Sequence, residues 1–298
     1  MWAWIHAPLL SDPDGTHRYR RPTFATNPEG SPLSARTTLL ALVAALAPAV
    51  ASAQFATTNV QALYGLSGFK EKILDYNTKD GQQLTLTVNH FSVWKYGDNF
   101  AFVDMSRADY KNTNSQSTVY TEWHPRFFVN KMVGHEGNTL GIFKNWGPAF
   151  EVNQGKNFWA YLAGIGCDID LPIQYSFLSV NLFYRQDSVQ FAPSFGHVGN
   201  KTWQLSPSWG IPFSIGPVGA LFTGFVDITP LKDFGGKDKK LDVMAQPELL
   251  FDVGGLAGAP RGTLWLGVEW YLHYNAADAN LGGETISAPQ VMVQWNLH

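Results

Sequence analysis

The feature that most restricts what this chain can fold into is an alternation with a period of two. In residues 263–275 one set of positions reads Leu264, Leu266, Val268, Trp270, Leu272, Tyr274, and the other reads Trp265, Gly267, Glu269, Tyr271, His273, Asn275. Side chains of a strand point alternately to its two faces, so an extended segment of this kind has one apolar face and one mixed polar face. The last segment repeats the pattern, with Val291, Val293, Trp295 and Leu297 against Gln290, Met292, Gln294 and Asn296. Segment 174–186 does so again, with Leu178, Val180, Leu182 and Tyr184 opposite Ser179, Asn181, Phe183 and Arg185. No helical period persists after residue 54.

Twelve such segments are expected: 57–66, 82–94, 99–106, 117–130, 144–154, 157–168, 174–186, 200–209, 217–227, 241–253, 262–275 and 286–297. Gly, Asn, Asp and Pro clusters separate them, as turns require. In a bacterial membrane barrel, strand number is even, with short periplasmic turns and longer outside loops. A periplasmic N-terminus predicts long and short connections in alternation. The first three follow this rule, and the gaps 187–199, 228–240 and 276–285 fall outside. The gap 131–143 falls on the periplasmic side and is longer than the rule predicts.

Composition separates the possible settings for such strands. Of 298 residues, 15% are charged and 14% aromatic, against about a quarter charged in soluble domains. A mean hydropathy of -0.12 is too low for a bundle of spanning helices. Both values suit strands with lipid on one face and a polar interior on the other. In lipid, only closure satisfies the edges of a sheet, so the expected fold is all-β: a transmembrane antiparallel barrel of about twelve strands in up-and-down order. Trp94, Trp123, Trp146, Trp159, Trp203, Trp209 and Trp295 lie near segment ends, where interfacial girdles form. A soluble β-sandwich or lipocalin-like barrel is the competing fold, and would turn the apolar faces inward.

Residues 1–35 are polar and proline-punctuated, and are expected to be an extension upstream of the true start or a disordered tail. Residues 36–53 read as a signal peptide: Arg36, an apolar run from Leu39 to about Val50, then Ala51-Ser52-Ala53 before Gln54. The barrel is then 54–298. One cysteine, Cys167, excludes an internal disulfide and any multi-thiolate metal site. The net charge of -3 gives no argument for nucleic acid. No cofactor or metal is expected; His135 and Glu136 form a loop pair without further ligands.

If the apolar sets face lipid, Glu122, His124 and Arg126 point together into the lumen, because Arg at the lipid midplane costs about 2–4 kcal/mol. The same reasoning turns Glu151, Arg185, Glu248, Glu269 and His273 inward, with Tyr120, Phe183, Gln246 and Tyr271 on the same faces. These twelve residues are candidates for contact with a passing solute. They equally suit an ion-pair lattice that only stiffens the barrel, such as Arg126 with Glu248 or Glu269. A hydrolase with Ser, His and an acid at the outer rim, and a non-conducting receptor or structural barrel, are the other readings. Gly65-Leu66-Ser67-Gly68 lacks a nucleophile-elbow pattern. Lys232–Lys240 reads as a solvated outside loop, or as a receptor surface for phage or toxin.

Three stretches carry a family resemblance. Thr121-Glu122-Trp123-His124-Pro125-Arg126-Phe127-Phe128-Val129-Asn130-Lys131-Met132, then Phe143-Lys144-Asn145-Trp146, then Tyr161-Leu162-Ala163-Gly164-Ile165-Gly166-Cys167-Asp168-Ile169-Asp170-Leu171-Pro172 resemble segments of the nucleoside-specific channel-forming outer-membrane proteins, the Tsx-like porins. The resemblance implies a twelve-stranded bacterial outer-membrane channel, not an enzyme, that admits nucleosides by diffusion. It also implies contact with outer-membrane lipid, handling by the barrel-assembly machinery, and a receptor role for phage or colicin. The family ends in an aromatic residue, whereas this chain has Leu297 followed by His298.

Overall fold

The computed structural model describes residues 54–70, 78–110, 117–135, 141–156, 158–189, 198–232, 239–276 and 284–297; the expected extension and signal peptide lie outside them. The strands are β1 (Phe55–Gly65), β2 (Gln83–Trp94), β3 (Gly97–Arg107), β4 (Ser117–Phe127), β5 (Phe143–Gly155), β6 (Phe158–Ile169), β7 (Phe177–Val189), β8 (Val198–Ile215), β9 (Val218–Lys232), β10 (Lys239–Ala245), β11 (Glu248–Asp252), β12 (Leu264–Ala276) and β13 (Glu284–Leu297). All pairings are antiparallel, and β1 pairs with β13 from Thr58 opposite Leu297 to Gly65 opposite Gln290. The sheet therefore closes on itself and leaves no edge for lipid to meet.

Two strands share one place in the ring. Both β10 and β11 lie between β9 and β12. They are one stave interrupted at Gln246-Pro247, where proline has no N–H to give the ladder. Register survives the break, with Met244 opposite Asp227 and Glu248 opposite Thr223. The barrel thus has the twelve staves expected.

Side chains are sorted in the membrane sense. Leu266, Val268 and Leu182 are 47–49% exposed on the outside, whereas Glu269 is 6% and Gln204 0% exposed on the inside. This polarity excludes the soluble sandwich and lipocalin-like alternatives, whose apolar faces would be hidden. At the end that carries both chain termini, Trp94 and Phe127 meet edge to face at 5.7 Å.

Several boundaries differ from the sequence reading. β8 continues six residues beyond Trp209. Gly210 is not a turn; it leaves the space that the Phe177 ring fills, since a Cβ there would lie 2.3 Å from that ring. The expected segment 117–130 stops at Phe127, and Val129–Met132 makes one helical turn within the long 128–142 connection. A second helical turn, Val253–Leu256, follows β11; the Asp252 carboxylate caps it by accepting from the Gly255 N–H at 2.9 Å. At the end away from the termini, the β5–β6 connection spans only residues 156–157, so the expected rule of long outside loops fails there.

The described residues of the β1–β2 connection enter the barrel mouth at the end away from the termini. Phe69, 1% exposed, packs against Tyr271, Ile286 and Ala288, with Met244 beside them. Thr78 holds the loop in place, its Oγ1 donating to the Phe69 carbonyl at 2.6 Å. Gly68 takes φ +98 as it passes within 2.2 Å (measured from an ideal Cβ) of the Ser287 carbonyl, a position no side chain could occupy. Part of the expected surface run 232–240, residues 233–238, lies outside the described residues.

Candidate functional site

The inner wall of β4 carries Tyr120, Glu122, His124 and Arg126 on one face, as alternation requires. Arg126 lies nearest the terminus-bearing end. Its Nε donates to Asp98 Oδ1 at 2.8 Å, a second guanidinium nitrogen bonds Asp98 Oδ2, and Nη1 donates to Asp168 Oδ1 at 2.8 Å. Asp168 also accepts from Ser179 Oγ at 2.6 Å and from Asn145 Nδ2 at 2.7 Å. The expected pairing of Arg126 with Glu248 or Glu269 is therefore wrong. Those acids stand on the β11–β12 wall, and the nearer β3 and β6 supply carboxylates instead.

The three stretches that carry the family resemblance meet at this node. Arg126, Asn145 and Asp168 come from one stretch each, and Lys144 pairs with Asp170 at 2.5 Å. A bulge between Lys144 and Gly147 makes the meeting possible. It adds one residue to β5, and Asn145 adopts φ +49 there, a left-handed conformation that asparagine tolerates.

Deeper along β4, His124 Nε2 lies 2.7 Å from Glu122 Oε2, and His124 Nδ1 lies 3.4 Å from Glu151 Oε2. The Tyr120 hydroxyl bonds Glu122, and Asn153 Nδ2 donates to Glu151 Oε1 at 2.8 Å. One ligand atom from each of Glu122, His124 and Glu151 lies within 4.8 Å of the others. On the neighbouring wall Arg185 donates to Asp187 at 2.8 Å and to Gln204 at 2.5 Å. Gln204 passes the network to Ser206 at 2.9 Å, and Ser206 to Asp227 at 2.6 Å. The charged residues on β4 to β9 are thus joined in a hydrogen-bonded lattice, with partners other than those expected.

On the opposite wall, Glu248 and Glu269 are direct cross-strand partners, and Gln290 Nε2 donates to Glu269 Oε1 at 2.6 Å. His273 Nε2 is 2.9 Å from Asp242, and its Nδ1 is 3.4 Å from the Tyr271 hydroxyl. Gln246 sits half-buried at the β10–β11 break. Several candidates are closed to a solute, Glu151 at 1% exposed among them. Phe183 is 2% exposed, packed with Ala149, Ala160 and Leu162, and Tyr271 lies under Phe69.

Half-buried rings form a track that the twelve candidates largely omit. Phe100 and Phe102 are 6.0 Å apart, Phe102 and Tyr120 6.0 Å, and Tyr120 and Phe158 6.2 Å. The Arg185 guanidinium lies 5.8 Å over Phe158, and the His124 ring 5.7 Å from Phe100. Phe100, Phe102, Asp98 and Asp104 share the inner face of β3, so applying the alternation rule to that strand would have found them.

No family model and no curated protein matches the chain, so the resemblance remains one of short stretches. Among solved structures, the chain is similar to the KdgM porin at 11% identity, covering 80% of this chain and 99% of that one, TM-score 0.42. It is similar to the translocator domain of the autotransporter NalP from Neisseria meningitidis at 9% identity, covering 90% and 100%, TM-score 0.40. Pseudomonas aeruginosa OccK5 (OpdH) gives 10% identity, 81% and 97% coverage, and TM-score 0.26.

Proposed function

We propose that this chain is a bacterial outer-membrane channel for small polar solutes, and that nucleosides are among the solutes it passes. The observation that carries the reading is the ring track Phe100–Phe102–Tyr120–Phe158 running beside the Glu122, His124 and Arg185 groups. A nucleoside has an aromatic face to stack and ribose hydroxyls to donate. Stacking on protein rings is worth about 1–3 kcal/mol per base, and carboxylates accept from hydroxyls. Several weak contacts in sequence let a solute both enter and leave. The resemblance at residues 121–132, 143–146 and 161–172 supports the same choice of solute, and the outward apolar face supports a place in lipid.

A second reading, a non-conducting receptor or structural barrel, is favoured by the inserted Phe69 and by interior side chains as closed as Glu151, 1% exposed. Planar-bilayer recording on the purified barrel separates the two. Ion current reduced by added adenosine or uridine supports nucleoside passage. Current that ignores nucleosides while sugars cross in liposome swelling removes that selectivity, and no current at all removes the channel. Absence of serine labelling by a fluorophosphonate probe disposes of the hydrolase.

A further inference from the structure

We propose that Glu122, His124 and Glu151 form a binding site for one divalent transition-metal ion on the lumen wall. An imidazole nitrogen and two carboxylate oxygens lie within 4.8 Å of one another. Ligand atoms around a single zinc ion, each about 2.0–2.2 Å from it, stand somewhat closer than this. Glu122 and Glu151 face opposite ring nitrogens of His124, so Glu122 must swing to the Nδ1 side for one nitrogen and both carboxylates to meet a single ion. Glu122 and His124 keep freedom toward the lumen for this, at 10% and 24% exposed, against 1% for Glu151.

An independent observation points to a cation at the same place. Asn153 is 3% exposed and donates its amide hydrogen to Glu151, yet its Oδ1 is buried and accepts no hydrogen bond from the described residues. A buried acceptor without a donor is costly. Asn153 is the cross-strand partner of Glu122 and lies two residues from Glu151, so its carboxamide stands beside both acids. With the carboxamide turned over, this oxygen would stand where the amide nitrogen now donates to Glu151, and an ion held there would satisfy it together with the carboxylates. The neighbouring charges are Asp227 on β9 and Arg185 on β7.

The donor set selects the kind of ion. Carboxylates alone suit magnesium, calcium or manganese, whereas adding imidazole favours zinc, copper, iron or nickel. On binding, the imidazole N–H that now bridges to a carboxylate gives its proton to solvent, and the freed nitrogen takes the metal. The ion would tie β4 to β5 through side chains. This inference does not depend on which solute crosses, or on whether any does.

The test uses the purified full-length barrel in detergent, titrated with cobalt(II) while its d–d absorption is read, and with zinc by calorimetry. One saturating equivalent of cobalt, displaced by zinc, is expected. His124→Ala and Glu151→Gln should each weaken binding at least tenfold, and His135→Ala, in a loop at the terminus-bearing end, should not. Heat-dependent gel mobility reports folding, and His124→Gln decides the matter if the alanine variant does not fold. No saturable uptake, or unchanged affinity in a folded His124 variant, overturns the proposal.

Discussion

Phe69 rests against Tyr271 with the ring centroids 5.5 Å apart, so a residue from the β1–β2 connection covers a side chain that belongs to the lumen wall. That contact narrows the mouth. Phe69→Ala is expected to raise single-channel conductance in planar bilayers, while lowering stability by up to about 3–5 kcal/mol, the usual cost of removing a buried phenyl ring. Conductance unchanged from the parent protein would place the constriction elsewhere.

Arg126 stands between Asp98 and Asp168. Removing it leaves two poorly hydrated carboxylates facing one another, and breaking such a pair costs about 3–5 kcal/mol. Arg126→Ala should therefore lower the urea midpoint of the refolded barrel strongly. Arg126→Lys should recover only part of the loss, because an ammonium cannot bridge both acids with a planar fork. Arg126→Ala should also alter nucleoside block of the current more than Lys239→Ala does. Equal effects of these two variants would make Arg126 scaffold alone.

Among the described residues acids outnumber bases along the inner wall: Asp98, Asp104, Glu122, Glu151, Asp168, Asp187, Asp227, Asp242, Glu248 and Glu269 against Arg126, Arg185, His124 and His273. A low-dielectric wall of one charge sign concentrates counter-ions. The open channel should thus prefer cations, read as the reversal potential in a potassium chloride gradient. Glu248→Gln with Glu269→Gln should shift that potential toward zero, and should not destabilise the barrel, because the two groups are direct cross-strand neighbours of like charge. Anion preference in the parent protein would contradict this account.

The fold was legible because a period of two survives twelve times over in the sequence. The inward set Glu122, His124, Arg126, Glu151 and Arg185 followed from that period alone. What it could not supply was partnership around the ring. Arg126 takes Asp98 from one neighbouring hairpin and Asp168 from across β5, and pairing of that kind depends on stagger and on the bulge at Lys144–Gly147. Nor could alternation see Phe69, since a loop has no period. The expected end of the eighth segment at 209 failed for a related reason, since Gly210 and Pro212 follow it. Read locally they are turn residues, yet in the barrel Gly210 makes room for Phe177 and Pro212 lies within the paired length of β8 and β9.

The outward face offers the sharpest test of the setting. Val268 is near the middle of β12 and 48% exposed, while Tyr274 is near its end and 53% exposed. By exposure alone the two positions are alike, so in water an arginine would be tolerated equally at either. In a bilayer the cost depends on depth: about 2–4 kcal/mol at the midplane and about 0–1 near the interface. Val268→Arg should therefore reduce the free energy of folding into lipid vesicles far more than Tyr274→Arg, measured by reversible denaturant titration. Equal costs at the two positions would mean that this apolar belt does not face acyl chains, and a route through a membrane would have no physical basis.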